Sequence, residues 1–156
     1  MTFHQPASAD QDKELSVSSI IVVGVDGGEA SMRAARRAAE IARRLGSTLH
    51  VVNAVDRGTV KEYPGRPGTT AVTSGEFADA IVGDAADELR TTVEQVTTSV
   101  VYGRAAVALS EEAARLDAEL IVVGNRRAQG LSRVLGSVAS AVAAHAPCDV
   151  YIAKTV

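Results

Sequence analysis

The chain has 156 residues, 46% of them apolar and 22% charged, which is typical of one globular domain with its own core. Its formal charge of -3 argues against a general nucleic-acid binder, which usually carries a basic stripe. Aromatic residues make up 3% of the chain, so the core must be built from Val, Ile, Leu and Ala. The single cysteine, Cys148, excludes an intrachain disulfide, and we interpret it as a small core residue in a reducing compartment.

The amino-terminal segment has no periodic apolar pattern. Residues 1–18 lack the basic and apolar runs of a signal peptide, so we expect a flexible tail ahead of one domain over 19–156. No stretch of the sequence is apolar over the length that spans a bilayer. These features predict a cytoplasmic protein without a membrane partner.

Apolar periodicity divides the domain into nine elements in which strands and helices alternate. Short β-branched runs predict strands buried on both faces, and apolar positions at helical spacing predict helices. In chain order we predict strand 20–25, helix 29–45, strand 48–55, helix 74–93, strand 96–102, helix 105–116, strand 120–123, helix 137–145 and strand 150–153. The alternation predicts an α/β fold, a single doubly wound parallel sheet with helices on both faces.

Three details of these elements are specific enough to test. The first helix is predicted to end with Leu45 on its apolar face and with Gly46 as its C-terminal glycine. The unpatterned segment 56–73 is long for a compact domain and predicts either a lid or a disordered loop. His50 and Asn53 lie in a buried strand, where core hydrogen bonding explains them better than catalysis does.

Two glycine-bearing strand ends form the candidate ligand site, because open parallel sheets bind ligands beyond the carboxyl ends of their strands. One is the segment 24–28, and the other is 124–130, which continues to Gly136 and Ser137. Glycines, a helix amino end, the Ser137 hydroxyl and nearby arginines all suit a phosphate. Those arginines are Arg126, Arg127 and Arg133. The same residues fit a structural turn capped by Ser137 equally well.

Several motifs together resemble the universal stress protein family. They are the opening 22–27, the loop 120–137 with Gly124, Gly130, Gly136 and Ser137, the strand end Tyr102-Gly103, and the approach 145–150 to the last strand. The motifs agree with the family in order and spacing, and the resemblance covers nearly everything from residue 19 to residue 156. It implies an adenine nucleotide alpha hydrolase-like fold with strand order 3-2-1-4-5.

The resemblance also implies which residues surround a nucleotide. Nucleotide-binding members share a G-x2-G-x9-G-S/T loop, in which Gly124 matches the first glycine and Gly136-Ser137 the last pair. The implied binding residues are Gly24, Val25, Asp26, Ala54, Val123, Gly124, Arg127, Gly130, Gly136, Ser137 and Val138. The first three lie beside the adenine and ribose, and the backbone of the fourth meets the adenine. Asp26 is also the candidate ligand for a Mg²⁺ ion that accompanies ATP, the alternative being a loop residue that caps the next helix.

Two departures from the family loop change the expected phosphate pocket. Arg127 replaces the second glycine, and eight residues rather than nine separate it from Gly136. The Arg127 side chain either blocks the phosphate path or pairs with a phosphate, so AMP and cyclic AMP are as plausible as ATP. Gly28 stands where many relatives have Ser, which removes a helix cap at little cost.

Other nucleotide-binding and catalytic motifs do not occur in the sequence. A phosphoreceiver domain requires an Asp after the third strand, where residues 102–104 read Tyr-Gly-Arg, and the Walker loop G-x4-G-K-S/T is absent. Residues 26–29 lack the leading Ser of an adenylating S-G-G-x-D-S loop. No Ser/His/Asp arrangement and no His/Cys cluster with metal spacing is visible. We therefore expect no enzyme, or at most a slow ATPase.

The sequence leaves two functions open. The first is a stress-response regulator that binds ATP, AMP or cyclic AMP between strands one and four. The second is a nucleotide-free dimeric scaffold, which is also known in the family and which Arg127 and the shortened loop leave open as the alternative. The segment from Val150 to Lys154 is predicted to be an edge strand, and the resemblance implies a homodimer through it.

Overall fold

A computed structural model of the chain describes residues 18–56, 73–125 and 135–155. Within these ranges, five strands and four helices alternate in the predicted order. The strands are β1 (Ile20–Gly24), β2 (Thr48–Val55), β3 (Val96–Tyr102), β4 (Leu120–Asn125) and β5 (Asp149–Lys154). The helices are α1 (Glu29–Leu45), α2 (Ser74–Leu89), α3 (Ala105–Arg115) and α4 (Ser137–His145). The tail over 1–18 and the segment 56–73 lie, apart from their edges, outside the described residues.

The five strands form one parallel sheet in the order β3-β2-β1-β4-β5, which confirms the fold that the resemblance implies. From β1 the chain winds outward through β2 to β3, and it then returns to the other side of β1 for β4 and β5. β1 and β4 are neighbours, with Val22 paired to Ile121, so their carboxyl ends mark the point at which the strand order reverses. β5 is an edge strand of this sheet, as predicted.

Helices cover both faces of the sheet. α1 and α2 pack on one face, and α3 and α4 pack on the other, each pair over its own apolar cluster. α1 contacts the sheet through fully buried alanines, namely Ala34, Ala35, Ala38, Ala39 and Ala42. None of the described helices combines the length and the apolar character needed to cross a membrane.

α2 ends earlier than predicted. The predicted helix over 74–93 was too long, because the structure ends it at Leu89. The amides of Thr91 and Thr92 then bond to carbonyl oxygens three residues back, at 3.2 and 3.0 Å, which is a tighter turn than an α-helix makes. Val93 is buried all the same, so the apolar period continues past the end of the helix.

At the end of α1, the structure confirms the prediction for Gly46 and contradicts the one for Leu45. Gly46 caps the helix in the left-handed conformation, with φ of 66°, as a C-terminal glycine does. Leu45, predicted to lie on the apolar face, is 63% exposed, because the chain turns into β2 directly after it. The remaining element bounds agree with the predictions to within two residues.

Cys148 lies next to β5, at the border of the cluster beneath α3 and α4. It is partly buried, and this burial, with the nearby charge of Asp149, raises the pKa of its thiol. A raised pKa keeps the thiol protonated and unreactive near neutral pH. The structure is thus in line with the interpretation of Cys148 as a packing residue.

Candidate functional site

A cleft of about 190 Å³ opens at the carboxyl ends of β1 and β4, where the strand order reverses. The described residues that line it are Gly24, Val25, Asp26, Ala30, Ser31, Val52, Ala54, Ala105, Leu109, Val123, Gly124 and Val138. Seven of them were assigned to the site from the sequence, including Ala54, Val123 and Val138. The two strand ends that the sequence singled out therefore meet in one crevice. Arg127 and Gly130 lie outside the described residues.

The interior of the cleft is apolar. A Cβ atom on Gly24 would lie 3.0 Å from Cδ1 of Leu109, so the missing side chain at this position lets Leu109 pack directly against the end of β1. Sequence analysis missed Leu109, Ala105 and Val52 as lining residues. Val52 could have been found, because it lies two residues before Ala54 and strand side chains repeat their face with period two.

Asp26 lies at the mouth of the cleft in a tight local network. Its Oδ1 accepts hydrogen bonds from the Gly28 amide at 2.8 Å and from the Ser31 hydroxyl at 2.7 Å, and the Ser31 oxygen is 3.1 Å from the Asp26 amide. Asp26 therefore orders the entry to α1, and it also lines the cleft, while its role as a Mg²⁺ ligand stays a prediction. The sequence analysis did not assign Ser31 to the site, because no hydrophobic period indicates a hydrogen bond between a hydroxyl and a carboxylate five residues earlier. Gly28 is the N-cap and has no side-chain cap, as its replacement of Ser implied.

Gly124 is required for packing. A Cβ atom on it would lie 3.1 Å from the Thr155 methyl carbon and 3.4 Å from the carbonyl oxygen of Ala30. It therefore allows α1 to approach β4 on the sheet face opposite the one where Gly24 meets Leu109. The sequence analysis explained this glycine by the close approach of the backbone to a ligand. The structure gives it a second role, in helix–strand packing.

The amino end of α4 lies at the rim of the cleft. Gly136 is the N-cap of α4 and Ser137 is its first residue, so the alternative in which Ser137 caps the turn is wrong. The Gly136 amide donates to Oδ1 of Asn125 at 3.2 Å, and Val138 lines the cleft. Within the described part of the chain, the amides of Ser137 and Val138 bond to no acceptor. Sequence analysis missed Asn125, because a bond between β4 and α4 has no signature in either element.

A buried polar network fixes the helix that carries Leu109. Glu112 on α3 accepts two bonds from Arg115, at 2.9 and 2.7 Å, and one from the Ser99 hydroxyl at 2.9 Å. Nε2 of His50 lies 3.0 Å from Glu112 Oε1, and its Nδ1 lies 2.7 Å from Oγ1 of Thr97. These hydrogen bonds join α3 to β2 and β3. They also make His50 a hydrogen-bonding residue of the core, as predicted.

The pKa values of Glu112 and His50 are both lowered, for different reasons. The Arg115 guanidinium, with the Ser99 and His50 bonds, holds the pKa of Glu112 at about 2. Burial lowers the pKa of His50, and the nearby Glu112 carboxylate opposes that shift only in part. At neutral pH the pair is therefore a Glu112 carboxylate and a neutral imidazole.

Asn53 shapes the end of β1. It is 7% exposed, and its Nδ2 donates to the carbonyl oxygen of Val25 at 2.7 Å. The Val25 amide donates to the Val52 carbonyl at 2.8 Å, so both polar groups of this lining residue are held by β2. The core role predicted for Asn53 agrees with this arrangement. Among the described residues, no three His, Cys, Asp or Glu side chains are placed to hold a metal ion.

Comparison with known proteins gives a consistent assignment. A profile of the universal stress protein family matches residues 18–154. A Staphylococcus saprophyticus protein assigned to the universal stress proteins is 29% identical over 138 residues, which are 86% of this chain and 83% of that protein. A crystal structure of a universal stress protein in complex with cAMP is similar with a TM-score of 0.70 at 29% identity, over 90% of this chain and 100% of that one. The universal stress protein structure from Archaeoglobus fulgidus is similar with a TM-score of 0.68 at 25% identity, over 87% and 98% of the two chains.

Proposed function

The chain belongs to the universal stress protein family, and from this premise we propose that it binds an adenine nucleotide and acts as a stress-response regulator. The nucleotide is ATP, AMP or cyclic AMP, and it occupies the cleft between β1 and β4. The proposed binding residues are those that the resemblance implied, from Gly24 to Val138. The proposed location is the cytoplasm, without nucleic-acid or membrane partners.

One observation carries the proposal: an apolar cleft has polar groups at its mouth, at the switch point of a parallel sheet. The apolar part suits a purine, and the Asp26 carboxylate at the mouth suits ribose hydroxyls. The amides of Ser137 and Val138 at the rim suit phosphate oxygens, since a helix amino end favours an anion. A relative of the same fold, 29% identical, has been crystallised with cAMP.

The direct test is titration of the purified protein with ATP, AMP and cyclic AMP by calorimetry, together with thermal unfolding. A ligand at 100 times its Kd is expected to add about 2.7 kcal/mol to the free energy of unfolding. The variant Gly24→Leu is expected to abolish binding, because a Cβ there would already lie 3.0 Å from Cδ1 of Leu109, so the two side chains would be forced into the cleft that both residues line. Gly83→Ala is the control for nucleotide affinity, which it should leave unchanged, since a Cβ at that position contacts nothing within 4 Å.

The titration also separates the proposal from the nucleotide-free dimeric scaffold. If none of the three nucleotides binds or raises the unfolding temperature, the nucleotide-binding function is wrong and the scaffold is favoured. If Gly24→Leu binds as well as the unmodified protein does, the nucleotide occupies another place.

We expect no fast chemistry in this cleft. Of the described residues that line it, Asp26 and Ser31 are the ones with polar side chains, and both are engaged with the start of α1. Any ATPase activity should therefore be slow. Phosphate release above that of Ser137→Ala would establish such an activity.

The proposed regulator is a homodimer that pairs through β5. This strand bonds to β4 along one side, with Val123 opposite Ile152, and it is the last strand of the sheet. An edge strand offers backbone groups to a second copy of itself. Light scattering is expected to give twice the chain mass of 16.1 kDa, and a monomeric mass would refute the dimer.

A further inference from the structure

Asn125 joins the last residue of β4 to the first turn of α4. Its Oδ1 accepts the hydrogen bond of the Gly136 amide at 3.2 Å, although eleven positions separate the two residues in the chain. Only the oxygen of the carboxamide can accept a hydrogen bond from a backbone N–H, so this contact fixes the orientation of the carboxamide. Gly136 has no side chain that could cap the helix itself.

The backbone of Asn125 is held from the opposite side. Its carbonyl oxygen accepts a bond from the Thr155 hydroxyl at 2.8 Å, and Thr155 is 4% exposed. The Thr155 carbonyl in turn accepts a bond from Nη1 of Arg33 on α1 at 2.8 Å. A chain of three hydrogen bonds therefore runs from α1 through the end of β5 and β4 to Gly136.

We propose that Asn125 is the positioning residue for the phosphate end of the nucleotide site. It holds the Gly136 amide and so fixes the first turn of α4, in which the Ser137 and Val138 amides have no acceptor among the described residues and Val138 lines the cleft. Asn125 itself does not line the cleft, so it acts through α4 rather than through contact with the base. This inference rests on the proposed function, and it assigns recognition of the phosphate and that of the base to separate parts of the site.

The experiment compares AMP with adenosine, which differ by the phosphate alone. In Asn125→Ala the Kd of AMP is expected to rise about three- to tenfold, the worth of one hydrogen bond, while the Kd of adenosine stays within a factor of two. Ser140→Ala is the matched control on α4, and it should change neither value, because its hydroxyl makes only a 3.5 Å contact with the Leu135 carbonyl. Amide hydrogen exchange should become faster at Gly136 in Asn125→Ala.

A second variant tests the positioning role of Asn125 while it keeps an oxygen that can accept the hydrogen bond of the Gly136 amide. Asn125→Asp keeps an oxygen opposite the Gly136 amide and adds a negative charge, so AMP should bind more weakly than to Asn125→Ala at low salt. Added salt should narrow that difference, because it screens the repulsion between the carboxylate and the phosphate. Adenosine affinity should again be unchanged.

Other outcomes overturn the inference in distinguishable ways. Equal weakening of AMP and adenosine would make Asn125 a support of the whole cleft, and unchanged or tighter AMP binding would show that the carboxamide is dispensable or competes with the phosphate. If the unmodified protein binds neither ligand, the proposed function fails and this inference fails with it.

Discussion

The two faces of the sheet are held by different interactions. On the face of α1 and α2, the helices bury alanine, valine and leucine side chains against the strands. On the face of α3 and α4, the apolar cluster is smaller, and a network centred on Glu112 and His50 supplements it. Of the described helix residues that line the cleft, Ala105, Leu109 and Val138 belong to this second face, and Ala30 and Ser31 belong to α1. Among the described residues, the buried titratable groups are His50 and Glu112, and both lie on the second face.

The largest effect is expected on the apolar face. Leu49→Ala removes a side chain that is fully buried beneath α1 and α2, so it should lower the free energy of unfolding by about 2–5 kcal/mol. Urea unfolding at pH 7 and at pH 5 should give the same loss. A loss that depends on pH would contradict the contrast between the faces.

The next effect is expected on the polar face. Glu112→Gln should lower the free energy of unfolding at pH 7 by about 1–3 kcal/mol, because it removes the charge to which Arg115 and Ser99 donate. The folded-state pKa of about 2 lies below the ordinary value of 4.5, so the contribution of Glu112 is complete above pH 4.5. It is lost as pH falls from 4.5 toward 2. Urea unfolding across this range should show a smaller loss in Glu112→Gln than in the unmodified protein, because Glu29 and Glu76, whose pKa values are also lowered, remain in both.

A smaller effect of opposite sign is expected at the surface of α2. Gly83→Ala should raise the free energy of unfolding by about 0.5–1 kcal/mol, because alanine loses less backbone entropy in a helix and meets no atom within 4 Å. Thermal unfolding is the measurement. A lower unfolding temperature would mean that the space around this residue is not free.

The smallest effect concerns His50. Its folded-state pKa is lowered by burial below the ordinary 6.5, so the unfolded chain takes up the proton first. The stability that neutral His50 provides is therefore complete above about pH 6.5, and it declines as pH falls through that value toward the folded-state pKa. His50→Gln should show a shallower decline between pH 6.5 and pH 5 in urea unfolding. An equal slope in both proteins would exclude His50 as the cause.

Much of the fold was predictable, because strand and helix periods are properties of neighbouring residues. The nine elements, their order and the C-terminal glycine of α1 all followed from local patterns. The end of α2 was not predictable in this way, because Val93 continues the apolar period although the backbone has already left the helix. Leu45 was misjudged for a related reason, since its exposure depends on where the next element goes.

The site was predictable where it depends on strand ends and less so where it depends on contacts between elements. Gly24 and Asp26 stand directly after a buried run, so the sequence marks them. Asn125 and Ser31 act through hydrogen bonds to residues on other elements or beyond a turn, and no period reveals such bonds. The sequence analysis assigned no role to Glu112, because a glutamate in an amphipathic helix is typical of the exposed face, yet the structure buries it against β2 and β3.

The alanine face of α1 has a consequence for how this helix tolerates change. Alanine has no rotamers to lose, so five buried positions are ordered without side-chain entropy cost. The same shortness leaves no room for a longer side chain, since adding methylenes to a filled interior strains the backbone. The inner surface of α1 should therefore accept glycine or serine more readily than valine or leucine. At these buried positions, side-chain volume restricts substitution more than side-chain polarity does.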